Sequence, residues 1–157
     1  MTIELVRLDD RLIHGQVVVG WGNALGIECI VLVDDEISHS KWEQDIYAMG
    51  IPGNMNLVFA TVAEARTRMS EFRDAKYKIA VLLRSVKDAV RLCDGVDAIR
   101  SVNVGGLHMS EGRRERLPYV YLTDEEASML HGLAERGVAV SAQDVPSAAP
   151  VPAADFL

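Results

Sequence analysis

The chain has 157 residues, 49% apolar and 25% charged, and carries a net charge of −7. That length and balance suit a globular domain able to bury a core without disulfide or metal staples, and the acidity argues against general binding to nucleic acid or to an anionic membrane surface. No apolar run approaches the roughly 20 residues of a membrane helix. The start M-T-I-E-L-V-R lacks a basic-then-apolar leader pattern, and Cys29 and Cys93 stand far apart. A cytoplasmic chain forming one domain over residues 1–157, without membrane insertion, is therefore expected.

In chain order, residues 3–8 read as a strand, after which Arg7, Asp9, Asp10, Arg11 and His14 gather before an apolar stripe of Val17, Trp21 and Leu25 at helical spacing. Residues 29–33 (C-I-V-L-V) form a continuously apolar strand. A helix carrying Trp42, Ile46 and Met49 follows, then a strand over 56–60. The next helix shows Val62, Ala65, Met69 and Phe72 on one face. It opens with Thr61 and Glu64 at capping-box spacing. A second wholly apolar run falls in the strand 78–83, and such runs belong to parallel strands covered on both faces. Ser85 with Asp88 opens the helix of Val86, Val90 and Cys93, which Gly95 stops. Strands over 99–104 and 119–122 come next. Then Thr123 with Glu126 opens a helix bearing Ala127, Leu130 and Ala134, Gly137 ends it, and a strand runs over 138–142. The tail 146–157, rich in Pro and Ala, is expected to lie over the surface or stay mobile.

Alternation of this kind implies right-handed βαβ crossovers and an α/β fold, an open and mainly parallel seven-stranded sheet with helices on both faces. Ligand chemistry in such sheets collects at the carboxyl ends of strands, where Arg7–His14, Asp34 and Gly105–Gly106 all fall. His14 is the reactive candidate, because imidazole is both a nucleophile and a good leaving group for phosphoryl transfer. Arg11 offers a donor fork matched to phosphate oxygens, and Arg7 a second. Asp9 or Asp10 could fix the imidazole tautomer, and either could equally hold the arginines. The amides of Gly15, Gln16 and Val17 at a helix start favour an anion. The plainer reading is a charged loop that happens to contain a histidine. His108 follows a glycine turn that permits close approach to a ligand, or is simply exposed there. His39 and His131 read as solvated, both cysteines as core, and 112–116 as a small basic loop. Neither a metal-ligand spacing nor a nucleotide motif is present, so no cofactor is expected.

The segment R-L-D-D-R-L-I-H-G-Q-V with Trp21 resembles the active-site segment of EIIB subunits of the mannose/fructose/sorbose phosphotransferase system. I-V-L-V-D-D-E-I at 30–37, N-V-G-G-L-H at 103–108, E-R-G-V at 135–138 and the Val-Pro at 145–146 extend the resemblance over essentially the whole chain. It implies a phosphocarrier that takes a phosphoryl group from phosphorylated EIIA and gives it to a hexose-type sugar imported by the membrane subunits EIIC and EIID. By the same resemblance His14 is the phosphohistidine, modified on Nδ1. Arg11 is the phosphate-binding arginine and Asp10 the acid that positions the loop; Arg7, by its place at the same sheet edge, and Gly15 and Gln16, by their helix-start amides, are expected as further phosphate contacts. With no fused EIIA domain in the chain, the donor is expected to be a separate protein. L-R-S-V at 83–86 replaces the F-K-N-P-like stretch common in the family, and the tail also departs from it. These departures leave two other readings, a regulatory phosphorylation module and a non-covalent small-molecule binding domain.

Overall fold

The computed structural model describes residues 2–157. Its nine strands are β1 (Ile3–Leu8), β2 (Cys29–Val33), β3 (Asn56–Ala60), β4 (Ile79–Leu83), β5 (Ser101–Val104), β6 (Arg114–Leu117), β7 (Val120–Leu122), β8 (Ala139–Ala142) and β9 (Val151–Pro152). The α-helices are α1 (Gly22–Leu25), α2 (Lys41–Met49), α3 (Val62–Asp74), α4 (Val86–Cys93) and α5 (Asp124–Glu135). A π-helical segment, Gln16–Trp21, runs directly into α1. Seven strands form one sheet in the order β3-β2-β4-β1-β5-β8-β9, parallel throughout except for β9.

The two continuously apolar strands lie where two-sided burial requires them, and all five residues of each are buried. Alternation divides their side chains between two cores. Cys29, Val31 and Val33 join α3, α4 and α5 on one face, while Ile30 and Leu32 join Leu12, Val17 and Trp21 on the other. Thr61, Ser85 and Thr123 each accept the amide of the residue three positions on, and Thr123–Glu126 completes a reciprocal capping box. These caps start α3, α4 and α5 just past the carboxyl ends of β3, β4 and β7. Side-chain capping of this kind stabilises a helix by about 1 kcal/mol.

Seven strands in the main sheet match the expectation, but one member differs. Residues 119–122 do not enter it. β7 pairs antiparallel with β6 in a separate two-stranded ribbon, anchored because Val120 and Leu122 are buried in the main core. The seventh place is taken by β9 from the Pro/Ala-rich tail, antiparallel to β8. The tail does pack. Phe156 is buried, and Gln143 Nε2 donates to the carbonyls of Pro146 and Ala148. The stripe on α2 is a second correction, since Trp42, Ile46 and Met49 face solvent and α2 buries no residue fully. Strands expected from 78, 99 and 138 begin one or two residues later.

Candidate functional site

The sheet order places β1 between β4 and β5, with the connection from β1 leaving toward β2 on one side and that from β4 crossing to β5 on the other. The carboxyl end of β1 is thus a topological switch point, the crevice where open α/β sheets bind ligands. The loop that leaves it is tied down at several points. Asp9 N donates to Leu83 O at the end of β4, and Asp10 N to Gly106 O just beyond β5. Leu12 is wholly buried with φ at +57°. A non-glycine residue in this left-handed region costs about 1–2 kcal/mol, offset here by burial of the leucine. Its burial pins the loop between Arg11 and His14.

Asp9 is the hub. Its carboxylate has no solvent exposure and accepts from Arg7 Nη2 at 3.3 Å, Arg11 N at 3.1 Å, Arg11 Nε and Nη2 at 3.2 Å, and Gly106 N at 3.3 Å. His14 Nε2 lies 3.3 Å from Asp9 Oδ2. Burial alone would raise the Asp9 pKa, but the hydrogen bonds from His14 and Arg11 and the charge of Arg7 outweigh it and hold the carboxyl well below its ordinary range. With Nε2 directed at a carboxylate, neutral His14 carries its hydrogen there and presents the Nδ1 lone pair. Nδ1 makes no hydrogen bond among the described residues, and the side chain is 18% exposed.

Arg11 is the accessible cation. Its side chain is 34% exposed, Nη2 also donates to Gln16 Oε1 at 2.9 Å, and Nη1 has no hydrogen-bond partner among the described residues. Arg7, expected to touch phosphate, is corrected by the structure. Its side chain has no solvent exposure, and its guanidinium donates to Asn103 Oδ1, to the carbonyls of Gln143 (2.9 Å) and Asp144 (3.1 Å), and to Asp9. It also lies 5.0 Å from the ring centroid of Trp21. Burial lowers its pKa. Arg7 is a buried brace between β1, β5 and the start of the tail.

Asp10 turns away from His14 and ties the loop to the turn after β5. Its Oδ2 accepts from His108 N at 2.7 Å and its Oδ1 lies 2.6 Å from His108 Nδ1. Of the two aspartates, Asp9 is the one in contact with His14. Gly15 is exposed, and Gln16 engages Arg11. The amides of Val17 and Val18 both donate to His14 O, so Val17 N is committed within the turn. Asp34 is occupied elsewhere, with Arg84 Nε at 2.6 Å and the amides of Glu36 and Ile37. Sequence reasoning missed Asn103 and Gln143, although Asn103 opens the N-V-G-G motif and was the available signal. The two glycines of that motif serve close approach to arginine. A Cβ on Gly105 would collide with the Arg7 guanidinium, and one on Gly106 would lie 3.0 Å from Arg11 Nη2. Beside Arg11 a cavity of about 240 Å³ opens, lined by Gln16, His108, Tyr119, Tyr121 and Asp144 among others.

Fold and site together define an α/β protein that presents a partly exposed histidine and arginine, joined by a buried carboxylate, at the carboxyl edge of a parallel sheet. A family model described as "PTS system sorbose subfamily IIB component" matches residues 3–157, and the chain belongs to that family, as a phosphocarrier of a sugar phosphotransferase system. The N-acetylgalactosamine-specific phosphotransferase enzyme IIB component 1 of Escherichia coli (strain K12) is 33% identical over 147 residues, covering 92% of this chain and 91% of that protein. The fructose-specific EIIB component of Bacillus subtilis (strain 168) is 27% identical over 147 residues, covering 94% and 90%. The crystal structure of the Escherichia coli N-acetylgalactosamine-specific IIB component 1 superposes with a TM-score of 0.88 at 30% identity, covering 95% of this chain and 97% of that one. Members of this class are phosphotransferases that deliver a phosphoryl group to sugar. They work with EIIA and membrane EIIC/EIID components. Among the described residues, no helix is long and apolar enough to cross a membrane.

Proposed function

We propose that His14 Nδ1 carries the phosphoryl group, taking it from the phosphohistidine of EIIA in the cytoplasm and passing it to a hexose-type sugar held by EIIC and EIID. The observation that carries this reading is the contact between His14 Nε2 and Asp9, which leaves Nδ1 as the nucleophile. As Nδ1 attacks phosphorus and the donor nitrogen leaves, the His14 ring becomes a phosphoimidazolium. The ionised Asp9 beside Nε2 stabilises that cation. Arg11 can turn its exposed edge to the equatorial phosphoryl oxygens, where charge-assisted hydrogen bonds are strongest. On discharge the P–Nδ1 bond breaks, its electron pair returns to Nδ1, and neutral imidazole with hydrogen on Nε2 is regenerated. Positioning and charge neutralisation supply the catalysis.

Incubation with phosphorylated EIIA, followed by phosphorus NMR of the intact protein, is expected to show one Nδ1-phosphohistidine that is absent from His14→Ala. A phosphorylated His14→Ala protein, or an Nε2 resonance in the wild type, would refute the assignment. The names of the relatives make N-acetylgalactosamine and fructose the first sugars to supply.

A further inference from the structure

The cavity beside Arg11 has no part in phosphoryl transfer as described, yet its walls carry polar groups that the fold leaves unused. It holds about 240 Å³ between the loop after β1, the turn after β5, the β6–β7 ribbon and the start of the tail. Among the described residues, Arg11 Nη1, Tyr119 Oη and both carboxylate oxygens of Asp144 make no hydrogen bond, and Asp144 joins no ion pair. Asp144 gives the fold only its carbonyl, which accepts from Arg7 and Trp21. Tyr119 and Asp144 are both half-buried. A carboxylate drawn partly out of water without a counter-charge costs free energy that a hydrogen-bonding ligand would recover. His108, with Nδ1 against Asp10, leaves Nε2 free on the same wall.

These groups select a ligand with two different ends. The Arg11 guanidinium suits a phosphate. Asp144 repels a plain inorganic anion but accepts hydrogen bonds from hydroxyls. Tyr119 and Tyr121 supply ring surface with a polar tip, as a sugar ring requires. The volume lies below the roughly 300–1,000 Å³ of larger ligand pockets, which suits a single phosphorylated ring. We propose that this cavity binds a sugar phosphate, its phosphate on Arg11 and its hydroxyls on Asp144, Tyr119 and His108. Sugar phosphate is the product of the transfer that members of this family perform. Arg11 cannot give Nη1 both to this ligand and to a phosphoryl group on His14, so the bound product restrains loading. The restraint rests on the carrier reading above, whereas the binding does not.

Calorimetric titration of the intact protein with N-acetylgalactosamine 6-phosphate and fructose 1-phosphate tests the binding, with the free sugars and inorganic phosphate as controls. At least one ester is expected to bind about ten-fold more tightly than its free sugar or inorganic phosphate, the difference made by one charge-assisted hydrogen bond. Arg11→Gln is expected to abolish this binding, and Asp144→Asn and Tyr119→Phe each to weaken it. In loading assays with phosphorylated EIIA, the ester is expected to slow phosphorylation of His14 in proportion to the fraction of protein bound. Asp144→Asn and Tyr119→Phe are expected to load like wild type without ester and to need more ester for the same slowing. No binding at millimolar ester, inorganic phosphate binding equally well, or affinity unchanged in Arg11→Gln or in both other variants would overturn the site. Binding with loading undiminished would overturn the restraint. A wild type that binds the ester but never loads on His14 would refute the carrier reading and leave the site standing.

Discussion

At the scale of single residues, Asp9 decides what His14 can do. Its carboxylate lies against His14 Nε2 and balances two guanidiniums, and in the proposed loading step it faces the cation formed on the ring. Replacing it with Asn removes the buried charge but leaves Arg7 buried without its counter-ion, a change that typically costs about 3–5 kcal/mol. Asp9→Asn is expected to slow phosphorylation of His14 by at least ten-fold, measured with phosphorylated EIIA under conditions where the variant remains folded. Because the native Asp9 carboxyl titrates below the ordinary value of 3.8, its ionised form contributes stability that is present above that pH and lost as pH falls toward the native value. The stability difference between wild type and Asp9→Asn is therefore expected to be constant near neutrality and to shrink below about pH 3.8, as read by denaturant unfolding at a series of pH values. A gap that widens on acidification would contradict this assignment. The sequence made an acid beside His14 legible but could not say which of two consecutive aspartates it was. That choice depends on which way the backbone faces as it leaves β1, and hydrophobic pattern carries no such information for two polar neighbours. Arg7 was misread for a related reason. A lone arginine in an apolar strand signals function or burial equally well, and only its partners on β5 and in the tail distinguish them.

At the scale of elements, the glycine pair after β5 shows how a turn can be shaped by a side chain from another strand. Gly105 leaves room for the Arg7 guanidinium. Gly105→Ala is expected to destabilise the protein by about 1–3 kcal/mol through overpacking, seen as a lower urea midpoint with an unchanged slope. An equal midpoint would show that the brace can shift at no cost. Elements with strong periodic or capping signals were the most legible. The runs in β2 and β4 announced two-sided burial, and the three hydroxyl caps marked the starts of α3, α4 and α5. The short strand after residue 117 and the stripe on α2 were misassigned because apolar pattern reports a preference for burial without saying which surface is available. Val120 and Leu122 reach the core from outside the main sheet, whereas Trp42, Ile46 and Met49 reach no core at all.

At the scale of the whole molecule, the tail finishes the domain despite its composition. Phe156 is nearly inaccessible in the main core. Large buried aromatics replaced by alanine cost about 3–5 kcal/mol, so Phe156→Ala is expected to lower the denaturation midpoint clearly, with the Val151 amide hydrogen of β9 exchanging faster. A variant as stable as wild type would mean that the tail is not part of the cooperative unit. This contribution was not legible from eight residues of Pro, Ala and Val around one aromatic, because its binding groups are the edge of β8 and the backbone carbonyls that Arg7 and Gln143 hold.

The strand order has one more consequence. At one end the sheet stops in β9, two residues long, and Pro152 there has no amide hydrogen to offer a further strand. At the other end β3 pairs only with β2, so one side of Asn56–Ala60 keeps its ladder of donors and acceptors open. An extended segment added to this protein can therefore lengthen the sheet in one direction only, with β3, β2 and β4 between it and β1.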